Sequence, residues 1–524
     1  MRIVTKFLGI AVALAALTVG AHAQTAVFVG GGSSALFLEL GEAAGTATSA
    51  SPAGVGATCV WSQKSGKTTS LTVTDTATES GQSWIAWTPS TTDSTCTTID
   101  SSVKIYAYVQ LDSVLGNRLY FNAGTLGYKS TSPAGSATDN LIHNANSAIT
   151  EQSTLPSGIW TVLSNKALTA AGTDIRPEDA AFAILRATSS TGCGVAISSS
   201  QYLGLGYTAG TSVISSYYST STFHTNTFTL PSSGYTVLSV GATPVIFAVN
   251  TTNASGFGAG VYNISKATLA RFLEGQYGST SDLTGGTDSP ATVLIREPLS
   301  GTYNTVEYAV PNTVGNQSSQ EAGNCNGSVP NTNPLHLASS DNSNGYRNRV
   351  IGTGEAVNEL LLTTDALGYS FWSTGNFANV GVTGPAKYLT VDGYDPLYDQ
   401  SGSSYSTIKN TIPTAANGYL SNVTFTDLNN GNYPVWSMLR LVTAASGSSY
   451  TYAHKLAVAA QNFVSSTSLP DFVRASDLAV VHSHFTPPGQ SVTPNNGGTC
   501  GTEAGGDVAG VILALNSCTT GERQ

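Results

Sequence analysis

Arg296 stands four residues before Ser300-Gly301-Thr302, and this small polar turn opens a predicted helix over 303–308. A helix start carries unpaired backbone N–H groups and a partial positive charge. Ser300 and Thr302 add hydroxyl donors, Gly301 lets the backbone come close, and Arg296 offers a planar fork of donors. This is chemistry for holding a small tetrahedral oxyanion. An ordinary helix cap beside a solvated arginine uses the same residues, so the stretch gains meaning only from its surroundings.

Other chemistry-bearing motifs are weaker. His482 and His484 share one face of a predicted strand, but no third metal ligand accompanies them. Gly66-Lys67-Thr68 lacks the first glycine of a phosphate loop, since Trp61 occupies that position. Gly323-Asn-Cys325-Asn-Gly327 has the spacing of a nucleophile elbow, yet a disulfide is the better use of Cys325. Gly256-Phe-Gly258-Ala-Gly260 reads as a flexible loop rather than a dinucleotide turn. No catalytic constellation, metal site or cofactor motif emerges, so a non-enzyme is expected.

The whole chain narrows the setting. Met1–Lys6 is basic, Phe7 to Val19 is an apolar run, and Ala21-His22-Ala23 fits a small-x-small cleavage site. Residues 1–23 therefore read as a secretory signal too short to span a membrane, with a soluble periplasmic or secreted protein starting at Gln24. Loss of Arg2 and Lys6 leaves 19 basic against 31 acidic residues, a net of −12. That balance excludes nucleic acid and anionic membranes as partners but permits a small anion held by local dipoles and one buried arginine. Six cysteines in an oxidising compartment suggest disulfides. Cys59/Cys96 and Cys500/Cys518 are the economical local pairs, leaving Cys193 with Cys325; other pairings and free thiols stay open.

The elements that must position Arg296 alternate in type. Thr25–Val29 reads as a strand, Gly30–Ser34 as a turn, and Leu36, Phe37, Leu40 and Ala43 as a helix face. Residues 45–150 are rich in Thr, Ser and Gly with strand patterns such as Val103–Val109, a β-rich insertion or lobe edge. A helix is expected from Ser157 to Leu163, a strand over Gly241–Val249, a helix from Lys266 to Glu274 and a strand over Ala291–Ile295. A further helix spans Gly354–Leu362 and a strand Leu367–Trp372, and the chain from Thr486 on is rich in Pro and Gly. Alternation of strands and helices predicts an α/β class with largely parallel sheets, and the length calls for two lobes.

Several of these segments together resemble one family, the periplasmic phosphate-binding proteins that serve ABC-type phosphate transporters. The family's glycine-rich first turn is similar to Gly30–Ser34, with Ser34 and Ala35 where the family commonly has Thr and Phe. Its Gly-Ala-Ser-Asp-Ala-Pro segment resembles Gly172–Pro177, and its Arg-x-x-x-Ser-Gly-Thr motif matches Arg296 to Thr302 without a gap. Gly345 to Gly354 with the helix after it, Leu367-Gly-Tyr-Ser and Tyr433-Pro-Val continue the likeness, which covers roughly residues 25–435. The departures are Pro298, where the family has an aspartate to orient the arginine, and the long region 45–150.

The resemblance implies a two-lobed type II periplasmic binding protein fold with a β-rich insertion in the first lobe. Its expected parts are lobe 1 over 24–245, lobe 2 over 246–385, a return to lobe 1 over 386–490 and a disulfide-closed tail over 491–524. It implies phosphate contacts from Gly32, Ser33, Ser34, Ser157 and Asp174 of the first lobe and Arg296, Ser300, Gly301 and Thr302 of the second. Asp174 would accept the proton that phosphate keeps near neutral pH and sulfate lacks. The implied partner is the permease of an ABC transporter, and a monomer is expected. Two other functions use the same chain: adhesion or sensing through 45–150, and hydrolysis of phosphate esters, which no motif supports.

Overall fold

The computed structural model describes residues 25–63, 71–73, 82–123, 125–128, 141–142, 149–163, 166–177, 179–181, 183, 230–231, 233–311, 319–321, 335–336, 347–350, 352–377, 380, 384–464, 469–478, 480–482, 486–492, 503–506 and 512–514. The basic and apolar N-terminus, Gly66–Thr68, Gly323–Gly327, Cys193, Cys325, His484, Cys500 and Cys518 lie outside the described residues.

Strand β1 (Thr25–Gly32) is buried from Val27 onward, as a strand covered on both faces must be. It runs straight through the three glycines expected to turn. The rings of Phe28 and Tyr108 lie 2.8 Å from where a Gly30 side chain would start, so neighbouring aromatics fill the space and keep the backbone extended. Helix α1 (Phe37–Gly45) follows a short turn, then β2 (Cys59–Gln63), β3 (Ser83–Trp87) and β4 (Lys104–Gln110). These three pair antiparallel in sequence order, and β4 then pairs with β1 in parallel. The predicted disulfide joins Cys59 to Cys96 across 37 residues.

Residues 45–150 are thus β-rich, but not wholly an appendage: β4 and helix α2 (Ser113–Phe121) form a second strand–helix unit of the main sheet. Helix α3 (Ser157–Leu163) leads towards β5 (Ala170–Thr173), which pairs in parallel with the other side of β1.

Strand β6 (Tyr235–Asn250) is the bridge between lobes. Two strand–helix steps follow it, β7 (Thr292–Arg296) with α4 (Gly301–Ala309) and β8 (Arg347–Val350) with α5 (Gly352–Leu362), and then the strands β9 (Ala366–Phe371) and β10 (Ala386–Val391). β7 lies parallel between β8 and β9. β11 (Trp436–Ala444) returns to the first half-sheet, antiparallel to β5, and helix α6 (Gly447–Val464) closes it. The first part of β6, Tyr235 to Pro244, pairs with β11; its second part, Val245 to Asn250, pairs with β9 and β10. Pro244, which has no N–H to give a ladder, sits where the strand changes partners. Two half-sheets joined along one strand make a two-lobed α/β fold, as expected; the pairing is mixed rather than mostly parallel.

Helix α1 carries an unusual load for the lobe interface. Glu39 is fully buried, facing Asp471 and Glu42, and the Asp471 carboxylate accepts from the Thr374 N–H at 2.6 Å and Ser373 Oγ at 3.2 Å. Burial, then Asp471 and Glu42, push the Glu39 carboxyl well above its usual range, and burial lifts Asp471 to about 6. A carboxyl raised in the folded state contributes stability only at low pH, and loses it as pH climbs towards the folded value. Glu39→Gln is therefore expected to stabilise little at pH 5 and by about 1–3 kcal/mol at pH 8, read by urea unfolding at both. Equal effects at the two values would contradict this account.

Candidate functional site

Parallel neighbours end on the same edge of a sheet, so their C-terminal loops cluster there. In the first lobe the order β5–β1–β4 sets Asp174, Ser33–Ser34 and Asp112–Ser113 side by side. In the second, β7 and β8 do the same for Arg296–Gly301 and Gly352–Thr353. Helices begin at each loop, three of them at Ser113, Gly301 and Gly352, so several N-termini converge.

Gly32 ends β1 at φ +138°, and a Cβ there would overlap the Gly172 carbonyl. The close approach lets the Ser33 N–H donate to Gly172 O at 2.8 Å, while Tyr108 OH donates to Ser33 O at 2.7 Å. Ser33 Oγ accepts from the Ala35 N–H at 3.2 Å and hydrogen-bonds Asp174. Ser113 Oγ donates to Asp174 Oδ1 and accepts from the Asp174 N–H at 3.3 Å. Ser437 Oγ donates to the Asp174 carbonyl.

Across the cleft, Ser300 caps α4, its Oγ accepting from the Tyr303 N–H at 3.4 Å. The N–H groups of Gly301 and Thr302 make no hydrogen bond among the described residues. Arg296 is clamped by Glu297 through Nε–Oε2 at 2.9 Å and Nη2–Oε1 at 2.8 Å. Glu297 also accepts from the Gly352 N–H at 3.2 Å. Glu297 therefore does the orienting that Pro298 cannot. Behind it, the Arg296 N–H donates to Tyr369 OH at 3.2 Å, and Tyr369 donates in turn to Gln320.

The lobes meet at these groups. Gly301 lies so close to Asp174 that a Cβ would overlap its carboxylate. Ser34 Oγ and Thr353 Oγ1 are 3.1 Å apart, and Asp112 hydrogen-bonds Glu297. Burial raises the Asp174 carboxyl to about 7, against the pull of its own N–H, Arg296, Arg440 and Ser33. Burial works against charge on Arg296 too, but Glu297 outweighs it and holds the guanidinium firmly protonated; Arg296 in turn keeps Glu297 ionised. The result is a buried set of donors around Arg296, with Arg440 also acting on Asp174, whose carboxyl can hold or release a proton near neutrality.

Of the residues expected to bind, the structure gathers Gly32, Ser33, Ser34, Asp174, Arg296, Ser300, Gly301 and Thr302 at this edge. Ser157 is not among them: it is exposed at the first position of α3, and the serines on the Asp174 carboxylate are Ser33 and Ser113. Asp112, Glu297 and Thr353, which also lie here, were not among the expected contacts. The signals were faint: a hydroxyl three residues past a strand for Ser113 and a carboxylate adjacent to the arginine for Glu297. Among the described residues no group of three His, Cys, Asp or Glu is arranged for a metal, and no helix is long and apolar enough to cross a membrane.

No family model matches the chain, and no curated protein does. Solved structures do. The chain is similar to an ancestral soluble variant of the human phosphate-binding protein at 13% identity, over 85% of this chain and 90% of that one, with a TM-score of 0.38. It is also similar to a phosphate-binding protein from Stenotrophomonas maltophilia at 14% identity, over 64% and 71% of the two chains, TM-score 0.30. A third is an ABC-type phosphate transport receptor from Vibrio cholerae, at 14% identity over 43% and 66%, TM-score 0.27. What each residue does rests on this chain's own geometry.

Proposed function

We propose that this chain is an exported solute-binding protein that captures a small tetrahedral oxyanion, inorganic phosphate foremost, between its lobes and delivers it to the permease of an ABC transporter, without turning it over. The observation that carries this reading is Asp174 seated against the open N-terminus of α4 beside the clamped Arg296. One hydrogen on each of Nη1 and Nη2 is left over after the Glu297 and Thr353 bonds, enough for a two-point grip on an anion. Gly301 and Thr302 offer N–H groups along the helix dipole. Because the lobes touch directly here, an anion enters by parting them and is enclosed when they close. The Cys59–Cys96 disulfide agrees with an oxidising compartment.

Asp174 supplies the discrimination. Ionised, it accepts the proton of hydrogen phosphate and repels sulfate; protonated, it donates and tolerates sulfate. Since its carboxyl titrates at about 7, sulfate affinity is expected to rise about tenfold from pH 8 to pH 6. Asp174→Asn should admit sulfate at both values and erase that pH dependence. Titration calorimetry of ligand-stripped protein with phosphate and sulfate tests both points. Folded protein silent towards phosphate would sink the functional reading; a pH-independent sulfate response would sink the role of Asp174.

A further inference from the structure

Thr353 is the second residue of α5 and is 1% exposed. A threonine there would ordinarily turn its hydroxyl back on the first turn of its own helix. Instead both partners are remote. Thr353 Oγ1 accepts from Arg296 Nη1 at 3.1 Å, 57 residues away, and meets Ser34 Oγ at 3.1 Å, 319 residues away. Arg296 belongs to the second lobe and Ser34 to the first, so one hydroxyl touches both sides of the cleft.

Proton counting sharpens its role. A guanidinium only donates, so Thr353 spends one lone pair on Arg296. The Ser34–Thr353 bond uses one of the pair's two hydroxyl protons, whichever residue donates. The other proton remains for an oxyanion oxygen, on a hydroxyl chain polarised by the arginine. The bond also exists only while the lobes are together.

We propose that Thr353 is a further anion-binding residue of this cleft and its latch, coupling Ser34 to Arg296 and slowing the reopening that releases the ligand. The inference rests on the solute-binding reading above. It assigns the start of α5 to the site beside the start of α4.

The test is a double-mutant cycle on the full chain, with inorganic phosphate as the probe and stopped-flow release as the readout. Thr353→Val keeps the shape and removes the hydroxyl; it should speed release about tenfold while association stays within about twofold. Thr353→Ser should restore slow release. Ser34→Ala reads the same bond from the opposite lobe without touching α5, and the double variant should release no faster than the quicker single. Wild-type protein that binds phosphate while the two hydroxyl losses act independently overturns the latch alone. Wild-type protein that holds no phosphate overturns the functional reading and the latch with it.

Discussion

Arg296→Ala should lose phosphate by a thousandfold or more and cost about 3–5 kcal/mol of stability, because its partner carboxylate is stranded. Arg296 is 3% exposed and Glu297 is fully buried, and the two share a bidentate pair at 2.8 and 2.9 Å. Removing the cation leaves a buried charge without its bidentate partner, whereas replacing both partners by apolar groups is often neutral. Arg296→Met with Glu297→Leu should therefore recover most of the stability lost in Arg296→Ala, and none of the binding. Arg296→Lys keeps a charge but not the fork, so it should fold and bind weakly. Urea unfolding and calorimetry separate the two quantities. Retention of phosphate within tenfold by Arg296→Ala would remove the arginine from the site.

How much of this was visible beforehand depends on the kind of information each residue carries. Arg296, Ser300, Gly301 and Thr302 lie within seven residues, so one strand end and one helix start place them all, and local pattern suffices. Asp174 and Ser33–Ser34 are equally local to their own strand ends. What joins them is the parallel pairing of β1 with β5, which no spacing encodes. Ser113 shows the cost. Its strand, β4, has the alternating pattern of an edge, and pattern alone does not say that β1 is its parallel neighbour. Ser113 lies in what reads as a β-rich periphery, and the serine expected from sequence is Ser157, which has a glycine neighbour and a helix start. Pro298 stands where the family's aspartate would orient the arginine, and Glu297, one residue closer, supplies that carboxylate. Thr353 was out of reach, since its two partners come from separate lobes.

Gly301→Ala is the complementary experiment, in which binding should collapse while the fold gains. Gly301 opens α4 with no positive φ, so its backbone suits alanine, and a helical Gly→Ala exchange away from other constraints favours the helix by about 0.5–1 kcal/mol. The obstacle is Asp174, whose carboxylate occupies the space of the new methyl. Either the carboxylate swings away or the lobes stay apart, and both outcomes dismantle the closed site. Phosphate affinity should fall about a hundredfold or more, with the thermal midpoint unchanged or raised. Asp174→Gly in the same chain removes the overlap, so lobe closure should return, seen as a compact form by small-angle scattering. Discrimination against sulfate should not return, because the carboxyl that reads the anion's proton is gone. Normal phosphate affinity in Gly301→Ala would mean that Asp174 and the start of α4 do not enclose the ligand together.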